Sequence, residues 1–157
     1  MDIQQIKDIL YNGFIAVRNI NGVPFKTKHR MLWEMFALNG ENHLHWKVVG
    51  ITQKAYDVIK ANDYKRPTGN KDSKVNRAHI SNRIDTSRTM LEGPLMDKEQ
   101  WWQFYRDNDR CVLATGTENM SKQQEVIRYA VPDGLFESYG FSPKWRAPEI
   151  EFLKNIS

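Results

Sequence analysis

Lys74-Val75-Asn76-Arg77-Ala78-His79-Ile80 and Cys111-Val112-Leu113-Ala114-Thr115-Gly116-Thr117-Glu118-Asn119 are the two stretches on which the fold turns. In the first, strand alternation puts Val75, Arg77 and His79 on one face and Asn76, Ala78 and Ile80 on the other. The second reads as a strand that turns at Gly116-Thr117 into a helix, with Glu118 and Asn119 in its first turn. The expected class is α+β, with these elements set in a small, mixed, helix-rich domain.

Working outward, residues 2–18 have Ile3, Ile6, Ile9 or Leu10, Phe14 and Val17 at helical spacing, with Asp2 placed to cap them. Asn21-Gly22 and Pro24 mark a turn. Residues 28–38 read as a helix stopped by Asn39-Gly40. Residues 43–49 read as a strand with His43 and His45 on one face, where a substrate-facing or structural role is the first reading and a second metal pair the alternative. Thr52 can cap a helix through Ile59. The order helix, strand, helix over 26–62 is open to two readings, elements that simply pack on the core, which is favoured, and a small DNA-docking unit. Residues 81–96, broken by Gly93-Pro94, read as a loop with one helical turn. Asp97 and Gln100 have the spacing of a capping box before the aromatic run Trp101-Trp102-Gln103-Phe104-Tyr105. Trp101 and Trp102 suit either a core or a base-stacking role. A long helix is expected over 117–129. The aromatic tail from Leu135 folds back on the core and ends in a turn at 149–155.

The chain has 157 residues, enough for one domain spanning 1–157 with a core of its own. It is 40% hydrophobic and 27% charged, and no apolar run approaches the about 20 residues that span a bilayer. The start, Met1-Asp2-Ile3-Gln4-Gln5, lacks the basic and apolar regions of a signal peptide. The single cysteine, Cys111, excludes an intramolecular disulfide and a cysteine-based zinc ribbon. A cytoplasmic setting is expected. The net charge is +4 and the pI about 9.2, which permits polyanionic partners and is equally that of an ordinary protein with a small excess of lysine. Between Lys60 and Arg88 lysine and arginine outnumber aspartate, and this basic segment surrounds His79.

A neutral imidazole can take a proton from water near neutral pH. A guanidinium on the same strand face can hold a phosphate oxygen through paired donors. His79 and Arg77 therefore suit attack on a phosphodiester. The amide oxygen of Asn119 suits a hard ion such as Mg²⁺ or Mn²⁺, with Glu118 beside it as a further ligand. Arg83, Arg88, Lys65, Arg66, Lys71 and Lys74 are the candidate phosphate contacts.

Together the two stretches resemble the ββα-metal (HNH) nuclease motif. Val112 to Lys122 is similar to the segment of HNH domains that ends in Asn-x-x-Lys, and Asn76-Arg77-Ala78-His79 is similar to the Asp-Arg-Gly-His of the non-specific members. The resemblance covers residues 74–122 and implies a ββα core over 74–129. It implies His79 as general base, Asn119 as metal ligand and Arg77 as phosphate contact. Ala78 stands where many members carry a second ligand, so either a two-ligand site draws on Asp85, Asp109 or Glu118, or Asn119 holds the metal almost alone, as the resemblance to the Asp-Arg-Gly-His members implies. The expected activity is metal-dependent endonucleolytic cleavage of DNA, by a monomer or homodimer. RNA as substrate, and a non-catalytic nucleic-acid-binding protein, stay open as alternatives.

Overall fold

A computed structural model describes residues 1–38, 41–121, 127–139 and 142–156. Helix α1 (Ile3–Asn19) begins at a reciprocal cap. Asp2 Oδ1 accepts the Gln5 amide at 2.8 Å, and Gln5 Oε1 accepts the Asp2 amide at 3.0 Å. Its buried stripe is Ile6, Leu10, Phe14 and Val17. Helix α2 (Phe25–Ala37) starts directly after the extended Pro24, three residues before the expected position.

Residues 43–46 are turn, and strand β1 (Lys47–Ile51) begins only after them. Asn42 builds this turn by accepting the Leu44 amide at 3.2 Å on its side chain and the His45 amide at 3.0 Å on its carbonyl. Trp46 leaves the turn at φ 55°. His43 and His45 therefore do not share a strand face. His45 is buried, and His43 lines a separate small recess beside Lys47 and Asp133.

Helix α3 (Gln53–Ala61) is capped by Thr52, whose Oγ1 accepts the Ala55 amide at 3.1 Å. That hydroxyl also donates to Glu118 Oε2 at 2.9 Å. Thr52→Ala is expected to lower stability by about 1–2 kcal/mol, read from urea unfolding. An unchanged midpoint would show that the cap contributes nothing.

After strand β2 (Val75–His79) comes helix α4 (Arg83–Glu92), ten residues where a loop with one turn is expected. Asn82 accepts the Ile84 amide at 2.9 Å and starts it. Three of its residues are Ser or Thr, weak helix formers, so its propensity is low. Burial of Thr86, Ser87, Met90 and Leu91 against the helical core overrides that. Helix α5 (Lys98–Asn108) carries the expected capping box between Asp97 and Gln100.

Strand β3 (Arg110–Thr115) runs straight into helix α6 (Gly116–Ser121). Gly116 is needed at the junction because a Cβ there would meet the Lys71 carbonyl oxygen at 2.8 Å. The helix expected over 117–129 is not continuous. Residues 122–126 lie outside the described ones, and Tyr129–Ala130 is strand β4. Strands β5 (Ser138–Tyr139) and β6 (Ser142–Pro143) pair antiparallel, and helix α7 (Ala147–Asn155) closes the chain.

The main sheet has the order β2-β3-β1-β4. β2 pairs antiparallel with β3, in a register that sets Val75 against Thr115 and His79 against Cys111. β1 pairs parallel with β3 and antiparallel with β4. The fold is thus mixed α+β, with seven helices and a four-stranded sheet among the described residues.

Two apolar clusters form. α1, α2, α4 and α5 enclose Leu10, Phe14, Phe36, Met90, Trp101 and Tyr105. Trp101 is fully buried and stacks on Phe14 at 5.4 Å and on Tyr105 at 5.6 Å, so its role is packing. The sheet cluster holds Ile51, Ile59, Val75, Leu113, Phe136 and Leu153, with the tail folded back as expected. Residues 26–62 divide between these clusters: α2 belongs to the first, β1 and α3 to the second. No described helix is long and apolar enough to cross a membrane.

Candidate active site

The end of β2, the start of α4, the first residues of α6 and the side of α2 enclose a cleft of about 690 Å³. Arg66, Arg77, Arg83, His29, His79 and Asn119 all line it, and no acidic residue does among the described ones. Three arginines without an acidic neighbour on the wall make the cleft a place for an anion.

Register positions the histidine. The Ile80 amide donates to the Arg110 carbonyl at 3.0 Å, so His79 stands beside the start of β3, where Asp109 ends α5. The Asp109 carboxylate is fully buried. Its Oδ2 accepts the Trp46 amide at 2.7 Å and lies 3.2 Å from His45 Nδ1, and its Oδ1 lies 3.4 Å from His79 Nε2. Behind it, the Tyr105 hydroxyl is 3.1 Å from His45 Nδ1 and accepts from Asn42 Nδ2 at 3.1 Å.

Burial alone would raise the Asp109 carboxyl. His45, by charge and hydrogen bond, and then His79 outweigh burial and hold it below the usual carboxylate range. For His79 burial dominates and pushes its pKa below 6.5. Asp109 opposes that shift, and Arg83 and His45 add to it. His79 is therefore a neutral ring at neutral pH. A carboxylate only accepts, so the proton shared with Asp109 sits on Nε2 and the basic lone pair is on Nδ1.

Aromatic faces hold the cations. The Arg77 guanidinium lies 4.8 Å from the Trp46 ring centre, and its Nη1 donates to the Trp46 carbonyl at 3.5 Å. Burial brings its pKa down to about 10, still charged at neutral pH. His79 meets the same indole edge-on at 4.8 Å.

The other expected residues are placed as follows. Glu118 is buried in the turn, where its Oε2 accepts the Thr115 amide at 2.7 Å and the Thr115 and Thr52 hydroxyls. It braces α6 and is not on the cleft wall. Asp109 serves the two histidines and is not on the wall either. Asp85 stands exposed in the first turn of α4. Arg88 is outside the cleft, paired with Glu92 at 3.1 Å and lying over the Phe25 ring. Lys65, Lys71 and Lys74 are exposed on the neighbouring loop, and only Arg66 of that group reaches the cleft.

Among the described residues no group of three or more His, Cys, Asp or Glu is placed to hold a metal ion. Asn119 alone of the expected ligands lines the cleft. One amide oxygen fits an ion of the Mg²⁺ kind, which keeps several waters and takes further ligands from a substrate phosphate. It does not fit a cage made by the protein alone.

Sequence reasoning missed His29, Trp46 and the orienting part of Asp109. The trace of the first was present as His29 and Trp33 one helical turn apart, both reaching Ser87. The chain matches no family model, no curated protein and no solved structure.

Proposed function

We propose that this protein is a metal-dependent endonuclease of the HNH kind, cutting DNA phosphodiester bonds. The observation that carries the reading is His79, backed by the buried Asp109, opening on an acid-free cleft that also holds Arg77 and Asn119. His79 Nδ1 takes a proton from the attacking water, and Asp109 stabilises the imidazolium that forms. Arg77, fixed against Trp46, holds a non-bridging phosphate oxygen and offsets the charge that grows in the transition state. Arg66 holds the strand at the rim. An Mg²⁺ or Mn²⁺ ion held by Asn119 would supply Lewis-acid stabilisation of the leaving oxygen. The antiparallel β2–β3 pair followed by α6 supports a ββα arrangement over these elements.

Incubation with supercoiled plasmid and with structured RNA, each with Mg²⁺ or Mn²⁺ and with EDTA, tests the reading. Metal-dependent nicking of DNA is the expected result. Salt-sensitive binding with no cleavage of either polymer would replace it with a binding protein.

The pH profile is a second check. A base works in its deprotonated form, so activity rises with pH through the His79 pKa, which lies below 6.5. The acid limb of kcat/KM is expected below pH 6.5, with activity retained at neutral pH. An acid limb above pH 7 would exclude His79 as the base.

A further inference from the structure

A second histidine lines the same cleft, and the proposed hydrolysis does not use it. His29 Nδ1 lies 2.7 Å from Ser87 Oγ, and Trp33 Nε1 donates to that same oxygen at 2.9 Å. An indole N–H only donates. Ser87 is 1% exposed, and among the described residues the acceptor within reach of its hydroxyl proton is His29 Nδ1. The serine proton therefore goes to that nitrogen, and the His29 ring carries its own proton on Nε2. Charging the ring would turn Nδ1 into a donor and strand the buried hydroxyl. Burial and the charge of Arg83 push in the same direction. His29 is thus held as a neutral ring with one fixed donor.

Arg83 supplies the second part. Its guanidinium lies 5.4 Å from the Trp33 ring centre and 5.3 Å from that of Trp46. Among the described residues it makes no ion pair with an acid. It is also the first residue of α4, where a cation opposes the positive end of the helix. An anion at this point relieves both conflicts. Trp33 sets the spacing, with its ring centre 6.4 Å from His29 and 5.5 Å from His79. Both imidazoles contact this one indole and line the same cleft, so they are placed to serve neighbouring groups of one ligand.

We propose that His29 and Arg83 form a second phosphate-binding position, which takes the phosphate next to the one at Arg77 and His79 along a nucleic-acid strand. This rests on the nucleic-acid reading of the cleft but not on cleavage. Phosphate oxygens only accept, which matches a fixed N–H and a guanidinium fork. The substrate is then a strand with consecutive phosphates, not an isolated phosphodiester.

Fluorescence anisotropy on the His79→Ala protein, which needs no turnover, tests this. The probes are a short DNA duplex and a set of the same duplex with one neutral methylphosphonate moved along the strand. His29→Gln, added to that protein, is expected to weaken binding of the all-phosphate duplex about tenfold. It should cost nothing further on the duplex whose neutral linkage falls at this position. Arg83→Gln should single out the same linkage, which keeps the test open if His29→Gln fails to fold. Unchanged affinity in both variants, or an equal loss on every duplex of the set, would overturn the proposal. Absence of hydrolysis by the wild type would remove the nuclease reading and leave this binding pattern as expected.

Discussion

His79→Ala is expected to lower DNA cleavage by about 10²–10⁴-fold, the usual contribution of one positioned general base. The loss should fall on kcat, because Arg77 and Arg66 still hold the strand. Folding should survive the change. The His79 side chain is 10% exposed and its bond to Asp109 is long, at 3.4 Å, while Asp109 keeps His45 and the Trp46 amide. Initial rates of plasmid nicking in Mg²⁺, with an unfolding curve on the same preparation, measure both. A folded variant that nicks as fast as the parent would remove His79 from the chemistry and with it the proposed activity.

Asp109→Ala is expected to cost about 3–5 kcal/mol of stability, together with the activity. The carboxylate is fully buried, and its removal leaves the Trp46 amide and two histidines facing a void. Asp109→Asn separates charge from shape. It can still accept the Trp46 amide, so it should fold better than Asp109→Ala. It lacks the charge that holds the proton on His79 Nε2 and stabilises the imidazolium, so it should remain poorly active. The pH dependence has a definite sign. Asp109 has a folded pKa below its unfolded value of about 3.9, so its contribution is complete above that value and is lost as pH falls through the folded pKa. The stability gap between wild type and Asp109→Ala should therefore be at full size above about pH 4 and narrow below it. Urea titrations at several pH values measure it. A gap that stays constant down to acid pH would mean that the carboxylate acts by shape alone.

Local chemistry was readable in the chain. The caps at Asp2, Thr52 and Asp97 each act on the amide three residues away, so their spacing is enough to find them. Strands β2 and β3 were visible within a residue, and so was the glycine turn into α6. Helix α4 was missed because serine and threonine lower its propensity, and only its packing on Trp33 and the helical core repays that cost. The strand expected at 43–46 failed because Asn42 offers the backbone a competing turn.

The candidate site divides in the same way. Residue type and basic context selected His79, Arg77, Arg66 and Arg83, the resemblance to the ββα-metal motif selected Asn119, and all five line one cleft. Assignment of Glu118 and Asp109 as metal ligands rested on residue type alone, and burial has committed both carboxylates to other groups. The partners that tune the site lie far off in sequence: Asp109 is 30 positions from His79, Tyr105 is 60 from His45, and Ser87 is 58 from His29. The amino-acid order by itself determined the mixed α+β class, the capped starts of α1, α3 and α5, and five of the residues that line the cleft. The β2–β3 register and the docking of α4 on α2 decided which of them meet. Those contacts arise from burying apolar surface shared by distant segments, and no local pattern encodes which segments share it.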